Sequence, residues 1–334
     1  MDDVGGEPGR GTAVAVIGAT DTGDGMELEK ALFDAHRTRF ASIDRLLPEA
    51  PPPPVVGERV DAATASGVQV TGVVQRQLHG PDDVPLLWSA ADVRQLFPFI
   101  GDTGTEGMDV LLRTWRTWMD AESPGEDSSC VVNWPSRDAE AIRAFLDHGL
   151  VPMSALAVRT GRHREEPADD KVAVRRARPD DFDDVLAMAV STHDYIGQVA
   201  TRHRPNAGAL LAPGLERALD KDVPLLWLAE RDGEIAAFAH AAWIASTPGS
   251  AEAELLPHGR WGYVNNVVTV PGLRGSGLGR ALMSVVHKEF DADGADGTYL
   301  YYNPTNPLSS VFWHRQGYRP LWTSWEVHPA SALR

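Results

Sequence analysis

Cysteine is almost missing from this chain: Cys130 stands alone among 334 residues, which excludes an intrachain disulfide and any cysteine-rich metal site and suits a reducing compartment. Positive charge is scarce as well. With 31 Lys and Arg against 47 Asp and Glu, the formal charge is −16, and the clustered cations that sequence-independent binding to phosphate backbones demands are lacking. Nucleic acid is therefore not an expected partner; small molecules or a cationic acceptor fit better. No apolar run approaches the roughly 20 residues that span a bilayer, and Met1-Asp2-Asp3 carries no basic leader segment. The expectation is a soluble, cytoplasmic protein with neither membrane partner nor bound metal. What the chain does have is 43% apolar residues, enough for one large core or two ordinary ones, and its length favours two domains.

Periodicity and turn residues outline the elements. The β-branched run at 13–17 reads as a strand, and a helix at 26–47 ends in Pro51–Pro54, which cannot continue it. A hairpin is expected from 58–66 and 68–78, followed by a strand at 84–89 and an irregular segment. A helix at 107–121 carries Met108, Leu111, Leu112, Trp115 and Met119 at helical spacing. A strand at 129–134, a helix at 137–148 and a strand at 150–159 complete the first half. The segment 161–170 is charged, lacks large apolar residues and contains a proline, so it reads as a linker between domains at 13–160 and 171–334. Beyond it come a strand at 172–176, a helix opened by Pro179, and a helix at 207–220. A hairpin at 223–244, a strand at 261–270, a helix at 277–290, a strand at 297–302, a helix at 307–316 and a strand at 318–327 follow.

The two halves end alike. Asn133 and the run Phe145 to Pro152 match Asn303 and the run Trp313 to Pro320, with an aromatic four residues before a glycine and a proline three residues after it. That is an internal repeat of strand, helix and strand, and it suggests a duplicated fold.

Between the strand ending at Val270 and the helix near Gly277 lies Pro271-Gly272-Leu273-Arg274-Gly275-Ser276-Gly277-Leu278-Gly279-Arg280. Closely spaced glycines let backbone amides converge, and a helix N-terminus adds unpaired N–H groups with partial positive charge, so a diphosphate fits here. A nucleotide P-loop would need Gly-Lys-Ser/Thr, and this loop has no lysine. A dinucleotide turn would place its third glycine one residue later. The dinucleotide-like turn at Gly18–Gly23 leads to proline and antiparallel-looking hairpins rather than to alternating strand and helix.

The stretch Val267–Gly279 resembles the coenzyme-binding motif of the GNAT-type N-acetyltransferases, Arg/Gln-x-x-Gly-x-Gly/Ala after a strand, with Arg274, Gly277 and Gly279 at the fixed positions. The resemblance runs from about Lys171 to Pro329, and the first half looks like a degenerate second copy, similar to the tandem arrangement of mycothiol synthase-like proteins. It implies an α/β (α+β) fold of two tandem GNAT-like domains, each a mixed, mostly antiparallel sheet flanked by helices. It also implies that acetyl-CoA or another acyl-CoA is the co-substrate, held by Val267, Val268, Thr269, Arg274, Gly275, Ser276, Gly277, Leu278, Gly279, Arg280 and Asn303. The implied reaction is direct acyl transfer to a small-molecule amine or hydroxyl acceptor. The strand before the loop is expected to splay from its neighbour, leaving the main chain of 267–269 free for the pantetheine arm and for the developing oxyanion.

Two positions depart from the family pattern. Trp313 replaces the usual tyrosine that protonates the departing thiolate, and an indole N–H is too weakly acidic to act so; His314, Tyr302 and Tyr318 are the substitutes nearby. Asn265-Asn266 replaces the usual glutamate base, and Asn266 can orient an acceptor or hold a water but cannot take a proton. His240 is a candidate base or a hydrogen-bonded core residue, and His193, Asp194 and Tyr195, expected in a loop, lie where relatives bind acceptors. In the first half the corresponding loop, Gly101–Gly107, has Asp102 and Glu106 and no Arg, so a diphosphate would be repelled. The reading from another class is a non-catalytic acyl-CoA sensor or carrier. Oligomeric state is not encoded in these features.

Overall fold

The computed structural model describes residues 23–161, 172–200, 202–221 and 223–334; the strand expected at 13–17 and all of the expected linker except Gly161 lie outside them. The first half runs α1 (Gly23–Ile43), β1 (Glu58–Ala63), β2 (Gln69–Leu78), β3 (Asp92–Phe99), α2 (Gly104–Glu122), β4 (Ser128–Pro135), α3 (Ala139–Asp147) and β5 (Val151–Arg159). The second runs β6 (Ala173–Arg176), α4 (Phe182–Val199), α5 (Ala207–Leu219), β7 (Leu226–Arg231), β8 (Glu234–Ser246), β9 (Gly259–Thr269), α6 (Leu278–Ala292), β10 (Gly297–Tyr302), α7 (Pro307–Arg315) and β11 (Arg319–Val327). The chain is thus mixed α/β, with a mostly antiparallel sheet flanked by helices. Among the described residues, only β3 with β4 and β9 with β10 pair in parallel.

All these strands form one sheet, in the order β1-β2-β3-β4-β11-β5-β10-β9-β8-β7-β6. Its centre is a reciprocal exchange. The last strand of each half pairs with the penultimate strand of the other: β11 lies against β4 from Trp322↔Pro135 to Val327↔Cys130, and β5 lies against β10 from Thr298↔Arg159 to Tyr302↔Ala155. The exchanged strands also pair with each other. Ion pairs fasten the halves further, Arg202 with Asp127 at 3.4 Å among them. Arg319 on β11 forks onto Asp44 just after α1 at 2.6 and 3.0 Å. Arg204 spans to the first half, donating to the Leu86 and Ser89 carbonyls and to both oxygens of Asp127.

Strand alternation gives the sheet two apolar faces. Around β8, Ala237, Ala239 and Ala241 face α6 and Trp313 of α7, while Phe238 and Val268 face α4 and α5. The apolar stripe of α6, Leu278, Leu282, Met283, Val286 and Phe290, is wholly buried. Phe290 fixes this helix on the sheet with unusual closeness, because a Cβ on Gly262 would come within 2.6 Å of its ring. Trp261 covers Gly297 in the same way. These two glycines sit in the short parallel register of β9 and β10, and truncating Phe290 to Ala is expected to cost about 3–5 kcal/mol.

Two expectations are corrected. The run at 84–89 is not a strand: Val84–Leu87 forms a 3-10 turn, since Pro85 presets a helical φ and Leu86 and Leu87 are buried. Leu87 packs on α5 through Ala207 and Leu210. The true strand is β3, in the segment read as irregular. Its polar residue Arg94 hides the pattern, yet it is buried because Asp92 and Glu122 pair with it. His193, Asp194 and Tyr195 lie inside α4 rather than in a loop, because the helix continues to Val199.

The exchange makes each half the completion of the other. Residues 171–334 expressed alone should lack β5 between β10 and β11 and aggregate or melt without cooperativity, whereas co-expression with residues 1–160 as a separate chain should restore a soluble complex. A monomeric, cooperatively melting 171–334 fragment would contradict this account.

Candidate active site

β9 and β10 pair only through Gly297↔Trp261, Thr298↔Gly262 and Tyr299↔Tyr263. Beyond that point β9 continues to Thr269 on β8, and β10 continues to Tyr302 on β5. The strands therefore diverge. A bulge contributes to this: His240 and Ala241 of β8 face Asn266 and Val264 of β9, which leaves Asn265 as the extra residue. From Val264 onward, the β9 main-chain groups that point away from β8 have no register partner in β10, and they line the opening.

The opening leads to the glycine loop. A 3-10 turn at Pro271–Leu273 directs the chain into Gly275 and Gly277, with φ of 80° and 93°. This left-handed region suits glycine. An added Cβ at Gly275 or Gly277 would meet no atom within 4 Å, so the loop presents bare backbone to open space. Gly277 caps α6, whose first N–H groups have no intrahelical partner by helix geometry. The Ser276 hydroxyl is turned back onto the Leu273 carbonyl at 2.6 Å. Arg274 is exposed, has no ion-pair partner among the described residues, and holds its guanidinium 5.1 Å from the Tyr195 ring. Tyr195 is thus brought to the loop, whereas Asp194 is 3.5 Å from His203. His193 is buried with Nε2 unpartnered, and burial lowers its pKa.

The face of β9 and β10 turned away from α6 carries a polar chain the sequence did not reveal. The Tyr263 hydroxyl donates to Asn265 Oδ1 at 3.2 Å, and Asn265 Nδ2 donates to His240 Nδ1 at 3.1 Å. Tyr263 stacks on Tyr299 at 4.9 Å, and Tyr301 meets both edge-on. The legible signal was the spacing of Tyr299 and Tyr301 on one strand face with Tyr263 on the neighbouring strand. Burial, with Lys221 adding, pushes the His240 pKa down to about 4. His240 is therefore neutral near pH 7, and its Nδ1 lone pair is engaged by Asn265.

On the opposite face, Tyr302 is nearly buried among α6 and α7 side chains, and burial raises its pKa. Its ring meets His314 edge-on at 5.9 Å. His314 is exposed and donates Nδ1–H to the Ser310 carbonyl at 2.7 Å. Trp313 packs into the core against Tyr318, and Tyr318 is spent on His287 and Thr298. Asn303 donates to the Met153 carbonyl of β5 at 2.9 Å, so its amide fastens the exchanged strand. Val267, Val268 and Thr269 lie on the diverging part of β9, and Asn266 sits at its bulge. Leu278 is buried, and Gly279 abuts the Phe312 ring of α7, which an added Cβ would meet at 3.4 Å. Arg280 is exposed on the first turn of α6.

The first half has a divergence of its own, and it is closed. β3 and β4 pair from Asp92↔Ser128 to Leu96↔Val132 and then separate. α1 fills the gap: Phe33 and His36 meet Phe99 at the end of β3, and His36 and Phe40 meet Trp134 of β4, at 5.1–5.7 Å between ring centres. Arg39 locks this arrangement by forking onto Asp138 at 2.8 and 2.6 Å. Burial alone would raise the Asp138 pKa, but hydrogen bonds from Arg39 and Trp134 hold it below the usual range. At Gly104 the Glu140 carboxylate occupies the space a Cβ would need, 2.7 Å away. Among the described residues no cluster of His, Cys, Asp and Glu is arranged to hold a metal ion, and no helix is long and apolar enough to cross a membrane.

A family model described as the acetyltransferase (GNAT) family matches residues 193–318. That span runs from α4 to the turn before β11. Among solved structures, a GCN5-related N-acetyltransferase from Sphaerobacter thermophilus is similar, with 14% identity, 82% of each chain covered and a TM-score of 0.50. A GCN5-related N-acetyltransferase from Kribbella flavida shares 18% identity over 83% of this chain and 93% of its own, with a TM-score of 0.42. No curated protein matches. The first likeness shows the fold, and the match to the GNAT acetyltransferase model is confined to residues 193–318.

Two buried histidines generate a pH dependence. His36 is pushed down to about 4 by burial and the Arg39 charge, and His240 by burial and Lys221. Both begin near 6.5 in the unfolded chain. Between about pH 6.5 and 4 the unfolded state binds protons that the native state refuses, so stability is complete above that window and is lost as pH falls through it. At pH 5 the fully buried His36 should cost roughly 2 kcal/mol relative to pH 7. The urea midpoint of wild type should therefore fall relative to that of His36→Phe as pH drops from 7 to 5, and parallel pH profiles would refute the assignment.

Proposed function

We propose that this protein is an acyl-CoA-dependent N-acyltransferase, with acetyl-CoA as the expected donor, that passes the acyl group directly to a small-molecule amine in the cytoplasm. One observation carries the reading: the divergence of β9 from β10 opens onto the bare, positively flanked Gly275–Gly277 turn at the N-terminus of α6. Diphosphate recognition falls to the amides of Gly275–Arg280 and to the Arg274 guanidinium. Val267, Val268 and Thr269 offer free main-chain groups to the pantetheine arm. An N–H there also meets the thioester oxygen as it gains negative charge, which lowers the barrier more than ground-state binding does.

The acceptor approaches from the face carrying Tyr263, Tyr301 and Asn265, and Asn266 at the bulge orients it. The amine attacks the thioester carbon, the carbon–sulfur bond breaks, and the proton that nitrogen loses passes to solvent water, from which the group that protonates the thiolate is replenished. Tyr302, kept protonated by its raised pKa, is the proposed proton donor to the departing thiolate, with His314 beside it as the alternative. Cys130 is far from this chemistry: it is buried beside the Ala330 carbonyl in the other core, and burial pushes its thiol up to about 12. A covalent acyl-cysteine is not part of the proposal.

The chain is further proposed to be a tandem duplication divided at 161–170, with 13–160 a degenerate copy that does not take coenzyme. The support is the shared order of elements around the two parallel strand pairs, together with the α1 plug in the first.

A second reading, a non-catalytic acyl-CoA sensor or carrier, is favoured by the burial of Trp313 and by the hydrogen bond that holds His314 Nδ1. Thiol release from acetyl-CoA with a panel of amines separates the two. Sustained turnover supports the enzyme, and tight binding without turnover across the panel supports the carrier. Gly277→Asp puts a Cβ and a negative charge against the diphosphate, and coenzyme A affinity by calorimetry is expected to fall at least about 100-fold. Unchanged affinity would move the site elsewhere.

A further inference from the structure

The β8–β9 connection holds a half-buried acid whose carboxylate has neither an ion pair nor a hydrogen bond among the described residues. It is Glu252, on the 3-10 turn Ala251–Glu254. The turn is firmly placed. The N–H groups of Leu255 and Leu256 close onto the Glu252 carbonyl, the Ser246 hydroxyl of β8 donates to the Leu256 carbonyl at 3.1 Å, and Trp322 of β11 donates its Nε1–H to the Leu255 carbonyl at 2.8 Å. The backbone under Glu252 is therefore tied to two strands of the sheet.

The tyrosine group on β9 and β10 lies within reach of this charge. Tyr263 and Tyr299 stack across the two strands, and Tyr301, 46% exposed, stands edge-on to both. Two residues of strand are roughly 7 Å, so Tyr301 stands past the last shared register, Tyr299↔Tyr263, where the strands part. Burial, with the charges of Tyr263 and Glu252 adding, raises the Tyr301 phenol to about 12, and Glu252 acts in the same direction on Tyr299. Burial raises Tyr263 as well. Near pH 7 the three phenols are uncharged, so the surface combines electron-rich rings with the charge of Glu252. An anion would be repelled there. An uncharged apolar group would leave the carboxylate half-desolvated without a partner. An ammonium satisfies both components, meeting the carboxylate by charge and the exposed ring by its quadrupole.

We propose that Glu252 and the exposed ring of Tyr301 hold an ammonium group, and that the acyl acceptor is accordingly a diamine, one nitrogen reacting in the opening while the other stays protonated at Glu252. The identity of the acceptor rests on the acyl-transfer reading given above; the ammonium site does not. In the transfer the neutral nitrogen forms its bond to the acyl carbon as the carbon–sulfur bond breaks, its proton leaves to water, and the thiolate takes up a proton. The held nitrogen keeps its charge throughout, so it contributes to binding and to the choice of acceptor and takes no part in the chemistry.

Putrescine, cadaverine and hexamethylenediamine are the probes, each paired with the monoamine of the same length, and aminocaproate places a negative charge where the second ammonium would sit. With the full chain and acetyl-CoA, thiol release gives kcat/KM, and the best diamine is expected to exceed its monoamine at least about 10-fold, with aminocaproate below both. Calorimetry of the same amines without coenzyme should show the same order. Glu252→Gln should lower the diamine-to-monoamine ratio at least about 5-fold, and Glu252→Lys should place aminocaproate above the diamine. Glu254→Gln, at an exposed position of the same turn, should keep the ratio within about 2-fold of wild type. The inference is overturned if the monoamines match the diamines, if Glu252→Lys leaves the order unchanged, or if Glu254→Gln lowers the ratio as much as Glu252→Gln does, which would trace the preference to the overall charge of −16. If no amine releases thiol but calorimetry shows the diamine preference and its loss in Glu252→Lys, the ammonium site stands and the acyl-transfer reading falls. Failure of both readouts overturns the ammonium site itself.

Discussion

The structure depends on an exchange of main-chain hydrogen bonds at the middle of its sheet. β11 satisfies β4, β5 satisfies β10, and the two exchanged strands satisfy each other. A buried backbone N–H or C=O without a partner costs on the order of 1–3 kcal/mol, so removing either exchanged strand would orphan a row of such groups along two neighbours. Neither half owns a complete sheet. The side-chain links, Arg319 with Asp44 and Arg204 with Asp127, add orientation to a junction that the backbone already closes.

The proposed active site is a local failure of the same pairing. Two close glycine–aromatic approaches, Gly262 under Phe290 and Gly297 under Trp261, hold β9 and β10 together over three residues. Past them, β9 is drawn to β8 and β10 to β5. The bulge at Asn265 turns that residue toward His240 and leaves Val264 and Val267 on the α6 side. One strand thereby presents apolar packing to one face, a polar chain to the other, and free main chain along its edge. In the first half the corresponding gap is closed by Phe33, His36 and Phe40. The parallel pair β3–β4 is thus covered by aromatic side chains of α1, whereas β9 and β10 part toward the glycine loop.

Much of this was legible in the sequence. The glycines and Arg274 marked the loop because turn conformation and helix capping are local properties, and the apolar spacing of α2 and α6 marked their buried faces. β3 was missed because Arg94 looks solvent-facing until Asp92 and Glu122 are seen to neutralise it. The run at 84–89 misled because the strand-like composition of Val84, Leu86 and Leu87 outweighed the effect of Pro85. The shared endings of the halves, Asn133 to Pro152 and Asn303 to Pro320, each fall on a strand, a helix and a strand. They could not indicate that the last strands trade places, since both arrangements have the same local sequence. The Tyr263–Asn265–His240 chain was hidden for a similar reason: it joins residues of two strands through a bulge whose position depends on tertiary pairing.

The exchange also bears on how the chain is made. β4 leaves the ribosome early, but the strand that covers its edge, β11, is roughly 190 residues further along. At about 5–20 residues per second, that edge waits on the order of 10–40 s for its partner. Throughout that interval β4, paired with β3 on one side only, carries an open edge with buried-type side chains, a template for pairing with any neighbouring polypeptide. Fidelity of folding is thus tied to the synthesis of β11, and a chain interrupted anywhere before it would have a sheet open at its centre.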